Sequence, residues 1–129
     1  MITTILEDYV SFETAKLLKE KGFDEPCRAY WDDQPKLDVH TLFSSVESIK
    51  NSERVGNTIS CPTHQMAMKW LREKHIVIVV EPDFFNLDYD VVSWKYTVWF
   101  DDNAEDNAGF TSYEETVEAA LKYSLENLI

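Results

Sequence analysis

The stretch of sequence that decides the fold is VSWKYTVWF, residues 92–100. Its hydrophobic side chains recur on every second residue from Val92 to Phe100, which is the pattern of a β-strand buried on one face. The alternation places Trp99 on the opposite face from Trp94. Trp99 shares that face with Lys95. This segment therefore predicts a strand with one core-facing side and a second side that could be exposed or covered by another layer of the same chain.

A second strand is predicted just before it. The run IVIVV at residues 76–80 is continuously β-branched, which is typical of a central strand covered on both faces. Pro82 is expected to end this strand, and the two strands are expected to pair antiparallel. The connection, residues 83–91, alternates as well, so it could extend the sheet, with a bulge where the phase slips between Val91 and Val92.

Two helices are predicted in the first three-fifths of the chain. The first covers about residues 11–21, with Ser11 as its N-cap and Gly22 just past its end. The second is expected to begin at SCPT, residues 60–63, because a proline in the first turn loses no helical hydrogen bond. Its apolar stripe would be Met66, Ala67, Trp70 and Leu71.

The third helix opens with SYEE, residues 112–115, the pattern of a capping box in which Ser112 and Glu115 satisfy each other's backbone amides. Its glutamates at positions 114, 115 and 118 lie in the first turns, where their negative charge is expected to interact favourably with the helix dipole. Before this helix, the acidic stretch from Asp101 to Gly109 is predicted to be a loop.

A hairpin is predicted between the first two helices, from strands at residues 27–31 and 36–43 around the turn at 32–35. The polar residues 44–59 are predicted to be a flexible loop. The whole chain, residues 1–129, is expected to be a single α+β domain with the order α-β-β-α-β-β-α and an antiparallel sheet packed against helices.

Charge and composition limit the classes of function. The net charge is −12, and residues 76–129 hold 12 acidic side chains against two basic ones, Lys95 and Lys122. Such a segment is poorly suited to bind nucleic acid directly or to lie on an anionic membrane, but it could attract a basic protein. No run of 18 apolar residues is available for a membrane span. A cytoplasmic location is expected, since two cysteines are too few for a disulfide framework.

Catalytic and metal-binding patterns are weak. Cys61 and His64 lie three residues apart, so a small thiol enzyme is one hypothesis, although no third orienting residue is evident. A zinc site would have to draw on scattered residues, namely Cys27, Cys61, His40, His64 and His75. Asp101, Asn103 and Glu105 open like a calcium loop, but Asp106 stands where the turn glycine is needed. No catalytic residue, metal ligand or cofactor is therefore predicted.

The favoured hypothesis is a non-enzymatic interaction protein that binds a protein partner or associates with itself. Its candidate surface combines aromatic and acidic side chains: Phe84, Phe85, Asp88, Tyr89, Asp90, Trp99, Asp101 and Asp102. An alternative is an acidic mimic of DNA that inhibits a DNA-binding protein, with Asp88 and Asp90 as a carboxylate row about 6.6–6.8 Å apart along a strand.

Three segments carry a resemblance. The stretch SCPTHQMAMKWLREKH at residues 60–75, the helix YEETVEAALKY at 113–123 and the opening helix at 12–23 resemble small proteins of phages and prophages of gut anaerobic bacteria. That family has no assigned activity, so the resemblance supplies no catalytic residues. It implies a phage or prophage gene product that acts in the bacterial cytoplasm.

Overall fold

The computed structural model describes residues 7–39 and 48–129. It confirms the α+β class and the predicted order of helices and principal strands, with two further strands, β3 and β6. The elements are α1 Phe12–Glu20, β1 Tyr30–Trp31, β2 Leu37–Asp38, a 3₁₀ turn Asn51–Glu53, β3 Ile59–Ser60, α2 His64–Arg72, β4 Val77–Phe85, β5 Val91–Phe100, β6 Asn103–Phe110 and α3 Tyr113–Asn127.

The strands form two three-stranded antiparallel sheets. The smaller has the order β2-β1-β3, and the larger has the order β4-β5-β6. The predicted first hairpin is confirmed in β1 and β2, where Trp31 pairs with Leu37. The third strand, β3, pairs with the other side of β1. His40 and the rest of residues 40–47 lie outside the described residues.

Strand β4 lies at the edge of the larger sheet, so the prediction of a central strand covered on both faces was wrong. Val77 and Val79 point away from the helices and are exposed. Pro82 does not end the strand, because an edge strand has a side on which no ladder hydrogen bond is required, and Pro82 pairs with Trp94. The register shifts on both sides of Phe84 confirm that the sheet extends into the connection through a bulge.

Strand β6 occupies most of the segment that was predicted to be a loop. Its sequence, NAEDNAGF, has little intrinsic strand preference, so pairing with β5 decides its conformation. A two-residue turn joins the strands, and both of its residues, Asp101 and Asp102, have positive φ angles of 45° and 62°. This is the signature of the hairpin turn whose twist matches that of the strands.

The core lies between the helices and one face of the larger sheet. Tyr96 and Val98 of β5 point into it and are buried, and α3 packs across them. Helix α3 also contacts α1 and α2, so all three helices meet on this side. The fully buried hydrophobic side chains of α3 are Val117, Ala120, Leu121 and Leu125. Each would cost roughly 1–5 kcal/mol if truncated, depending on its size.

Helix α1 begins and ends as predicted. The Ser11 Oγ accepts a hydrogen bond from the Thr14 N–H at 3.2 Å. Gly22 has a φ of 94°, and the Phe23 N–H donates to the Leu18 carbonyl at 2.9 Å, which closes the helix in a Schellman motif.

Helix α2 begins later than predicted. Thr63 is its N-cap, and the Thr63 Oγ1 accepts from the Met66 N–H at 3.2 Å. Ser60 belongs to β3, and Cys61 donates its N–H to the Ala29 carbonyl, so Cys61 and Pro62 continue the strand pairing instead of starting the helix. Cys61 and His64 therefore do not share a helical face.

The described part of the predicted flexible loop makes specific contacts. Asn51 Nδ2 donates to the Phe23 carbonyl at 2.9 Å, and Ser52 donates twice to the Asp24 carboxylate. The Arg54 guanidinium donates to the Cys27 carbonyl at 2.9 Å and to Ser60 Oγ at 2.6 Å. Residues 51–54 are thereby tied to the segment after α1 and to the smaller sheet. Flexibility of residues 44–47, outside the described part, stays a prediction.

The end of α2 repeats the geometry of α1 without a glycine. His75 has a φ of 64°, and the Ile76 N–H donates to the Leu71 carbonyl at 3.0 Å, as in a Schellman motif. The left-handed conformation crowds the Cβ of any residue except glycine. The exposed His75 therefore carries local backbone strain.

We expect the substitution His75→Gly to raise the free energy of unfolding by about 1 kcal/mol, because it removes this strain. Urea denaturation measures the change. The matched control is Glu73→Gly, whose φ of −66° suits any residue, so it should lose about 0.5–1 kcal/mol. A loss of stability in both variants would contradict the interpretation.

Candidate interaction surface

The connection between β4 and β5 is a compact turn built on Asn86. The Asn86 Oδ1 accepts the N–H groups of Asp88 and Asp90, both at 2.9 Å, and the Asn86 N–H donates to the Asp90 carbonyl at 2.9 Å. Tyr89 has a φ of 63° and donates its N–H to the Asn86 carbonyl. With its backbone and acceptor groups used in this way, the turn points its apolar side chains outward.

The end of this hairpin is an apolar projection, which we call the hairpin tip and define as residues 84–92. Leu87 is 99% exposed and Phe84 is 67% exposed. Three further hydrophobic side chains of the tip are also exposed: Phe85, Tyr89 and Val92. Scattered exposed hydrophobic residues are ordinary on a protein surface, but five within nine residues form a patch of the kind that marks a contact site.

A second exposed region lies on the side of the larger sheet that faces away from the helices. We call it the outer face and define it by Val77, Val79, Thr97, Trp99 and Ala104. Trp99 stands between Val77 and Ala104 as their direct cross-strand partner and is 51% exposed. In the described part of the chain, no helix packs on this side. The prediction that Trp99 opposes the core-facing residues of β5 is confirmed.

The predicted surface residues divide between the two ends of the larger sheet. Phe84, Phe85, Asp88, Tyr89 and Asp90 lie at the hairpin tip. Trp99, Asp101 and Asp102 lie at the opposite end of β5, about 27 Å from the tip at the usual rise per strand residue. Sequence reasoning missed Leu87, Val77 and Val79. Leu87 lies in the turn beyond β4, and the exposure of the two valines depends on which face of the sheet the helices cover.

The carboxylate row expected from a DNA mimic is absent from this turn. Asp88 and Asp90 are exposed, but both belong to the turn at the hairpin tip and not to a strand. Their spacing is set by the hydrogen bonds to Asn86 and not by the regular rise of a strand, so the predicted row was wrong.

Negative charge surrounds the outer face. Asp106 of β6 lies on this face, Asp101 and Asp102 form the turn at its end, and Glu105 projects from the other face of the same strand. All four carboxylates are exposed, and no basic residue lies in residues 101–110. The Lys95 ammonium on the outer face is paired with Glu81 at 3.6 Å, so this cation is already engaged by a neighbouring carboxylate.

The thiol hypothesis finds no support in the geometry of Cys61. Its side chain is 1% exposed, and the Sγ lies 3.2 Å from the Val10 carbonyl, to which the thiol donates. Burial raises the pKa of Cys61 to about 12, whereas a nucleophilic cysteine needs a lowered pKa. The imidazole of His64 is engaged elsewhere, with Glu118.

We expect both cysteines of the folded protein to resist thiol reagents, since burial also raises the pKa of Cys27, to about 11. Reaction with Ellman's reagent near pH 8 should be at least about a hundredfold slower than in guanidinium chloride, because it must wait for opening of the fold. Rapid reaction of one thiol in the native protein would restore the thiol hypothesis.

A polar centre of the molecule is the partly buried Glu118 carboxylate, which joins the three helices. It accepts hydrogen bonds from the Ser11 N–H at 2.7 Å, the Ser11 Oγ at 3.0 Å and the Thr14 Oγ1 at 2.5 Å. His64 Nε2 lies 2.9 Å from the same carboxylate. Sequence reasoning gave Glu118 a role in the helix dipole, but its main partners are side chains of α1 and α2.

The environment of Glu118 favours its ionised form. Burial acts to raise its pKa, but hydrogen bonds from His64, Thr14 and Ser11 outweigh that effect, so the pKa of Glu118 is lowered from its ordinary value of 4.5. The ionised carboxylate therefore stabilises the folded state at pH values above 4.5, and this contribution is lost as the pH falls through the lowered pKa.

We expect Glu118→Gln to lower the free energy of unfolding by about 2 kcal/mol at pH 7, because it removes charge-assisted hydrogen bonds from partly buried donors. The difference from wild type should narrow as the pH falls below 4.5, the ordinary pKa. Denaturation at several pH values measures it. The exposed Glu114→Gln should follow wild type throughout, and a constant Glu118→Gln difference would refute the ionised-state interpretation.

In the described residues, no group of three or more histidine, cysteine, aspartate or glutamate side chains is placed to hold a metal ion. None of the helices in residues 7–39 and 48–129 has the length and apolar content needed to cross a membrane.

Comparison with known proteins does not assign this chain to a class. No family model matches it, and neither the curated proteins nor the solved structures contain a match. The function must therefore be inferred from the surface itself.

Proposed function

We propose that this protein is a non-enzymatic interaction protein, an accessory product of a phage or prophage that binds a protein partner in the bacterial cytoplasm. The phage setting is supported by the sequence resemblance given above. The observation that carries the interaction role is the exposed apolar surface on the hairpin tip and the outer face, opposite the side where the helices pack.

The chemistry of these residues suits a protein contact. Trp99, Tyr89 and Phe84 combine large apolar area with few rotatable bonds, and such residues are enriched at the centres of interfaces. The hairpin tip lies beyond the helices, so its side chains can enter a concave partner without rearrangement of the core. The surrounding carboxylates favour a partner with basic groups, because complementary charge accelerates association.

The polar groups in the interior are better explained by a structural role than by catalysis. Glu118 has its acceptors filled by three residues of the same chain, and Cys61 is inaccessible. A smaller cavity of about 240 Å³ is lined in part by Cys27 and Cys61, but both thiols are buried and burial raises the pKa of each. A groove of about 520 Å³ lies beside α2, and its lining includes neither Cys61 nor His64. Its residues are Glu25, Pro26, Gln65, Met66, Lys69, Trp70, Arg72 and Glu73. This arrangement favours binding over thiol or acid–base chemistry.

Affinity capture from host lysate tests the proposal when it is combined with surface variants. We expect a partner retained by the wild type to be reduced at least about tenfold by the double substitution Leu87→Ser and Trp99→Ser, the loss expected when interface anchors are removed. The control is Val55→Ser, which changes a hydrophobic side chain that is 85% exposed but lies away from both regions. Quantitative mass spectrometry measures the yields.

Two results would contradict the proposal. One is capture of the same proteins, in the same amounts, by wild type and the double variant. The other is an activity that survives both substitutions and is lost with Glu118→Gln under conditions where that variant remains folded. Circular dichroism of each variant confirms folding, and sedimentation of the isolated protein distinguishes self-association from binding to another chain.

A further inference from the structure

One edge of strand β6 has the geometry needed to pair with a further strand. The order β4-β5-β6 leaves β6 with one paired side, and seven of its eight residues are exposed. In the part of the chain that the structure describes, no strand occupies its other side. An unpaired edge presents a row of backbone donors and acceptors, which an extended segment of another chain can complete.

The side chains of β6 define what kind of segment fits. Cross-strand pairing puts Ala104 and Asp106 on the outer face, opposite Trp99 and Thr97. Glu105 and Asn107 then point to the other face, because side chains alternate along a strand. The short side chain of Ala104 leaves the ring of Trp99 open to a neighbour on that side.

A second copy of this chain is a poor occupant. If two β6 strands paired antiparallel about their centres, Glu105 and Asp106 would face the same carboxylates of the copy, either directly or on the diagonal. Like charges placed opposite each other destabilise a strand pair. The segment from Asp101 to Phe110 has no lysine or arginine that could offset this repulsion.

We propose that β6 binds an extended cationic segment of a partner protein, which joins the larger sheet as a fourth strand. This inference rests on the proposed interaction function and names the chemistry of its partner. In an antiparallel segment bound at this edge, the residues opposite Asp106 and Glu105 are basic. The residue opposite Ala104 is apolar. The basic residues pair with the two carboxylates, and the apolar residue extends the outer face beside Trp99.

The bulge next to Gly109 sets one limit of the site. The register of β5 and β6 shifts between Trp94 and Lys95, where Gly109 has a φ of 88° and no direct partner. A bulge bends a strand and interrupts regular pairing. The site therefore covers residues 103–108, and the segment it binds needs about six residues in extended form.

A peptide titration followed by NMR tests the proposal on the whole protein. The probe is acetyl-Thr-Thr-Lys-Lys-Val-Thr-Thr-amide, and the control peptide replaces the second Thr and the Val with proline, which keeps the charge but removes strand pairing. We expect the probe to shift the amide signals of residues 103–108 and to slow hydrogen exchange at Ala104 and Asp106, because the alternate amides already face β5. The Ala108 N–H, which donates to Asn107 Oδ1, should change less. The proline peptide should do neither.

Charge-reversal variants separate edge binding from general attraction to an acidic protein. Glu105→Lys with Asp106→Lys should weaken probe binding at least about tenfold. The matched control, Glu20→Lys with Glu25→Lys, makes the same change in net charge at exposed positions away from the sheet, so it should weaken binding about twofold or less.

The outcomes distinguish this inference from the function on which it rests. Equal effects of the two charge reversals, or shifts confined to the hairpin tip, would overturn binding at β6 and leave the interaction function standing. Failure of the probe to bind at all, or pairing of β6 with a second copy in its absence, would also overturn it. Failure of the interaction function itself would appear in the capture experiment, as equal capture by the wild type and by the variant with Leu87→Ser and Trp99→Ser.

Discussion

The satisfaction of one partly buried carboxylate is the constraint on which the helical layer depends. Glu118 in the middle of α3 accepts hydrogen bonds from the start of α1, through Ser11 and Thr14, and from the start of α2, through His64. Removing a donor would leave this partly buried charge with one hydrogen bond fewer, and hydrogen bonds to charged groups contribute more than ordinary ones. The network therefore fixes how the starts of α1 and α2 meet the middle of α3.

The one-sided arrangement of the helices determines the surface. Since the helices cover one face of β4-β5-β6, the alternation along each strand sends every second residue to the side without helices. On β5 that rule exposes Trp99 while it buries Tyr96 and Val98. At the far end of the β4–β5 hairpin, residues 81–90 are all exposed, so the tip lies outside the core. Exposure of the tip and of the outer face thus has a single geometric origin.

Local patterns allowed much of this to be predicted from the sequence. The alternation at residues 94–100 and the glycine at position 22 each report a local backbone requirement, and both predictions are confirmed. Val92, which the same alternation placed on the core face, is exposed because the bulge leaves it without a cross-strand partner. The errors concern features set by distant partners. A β-branched run does not reveal whether its strand lies at an edge or in the centre, and β6 is a strand because β5 holds it. The contact of His64 with Glu118 spans 54 positions, which no spacing rule could reveal.

The distribution of the four tryptophans gives the molecule a built-in optical reporter. Trp70 is buried, Trp31 and Trp94 are partly buried, and Trp99 is half exposed on the outer face. Indole emission depends on the polarity around the ring, so the long-wavelength part of the fluorescence spectrum comes mainly from that one position. Docking on this side would shift the emission without any label, whereas events among the helices would leave that component unchanged.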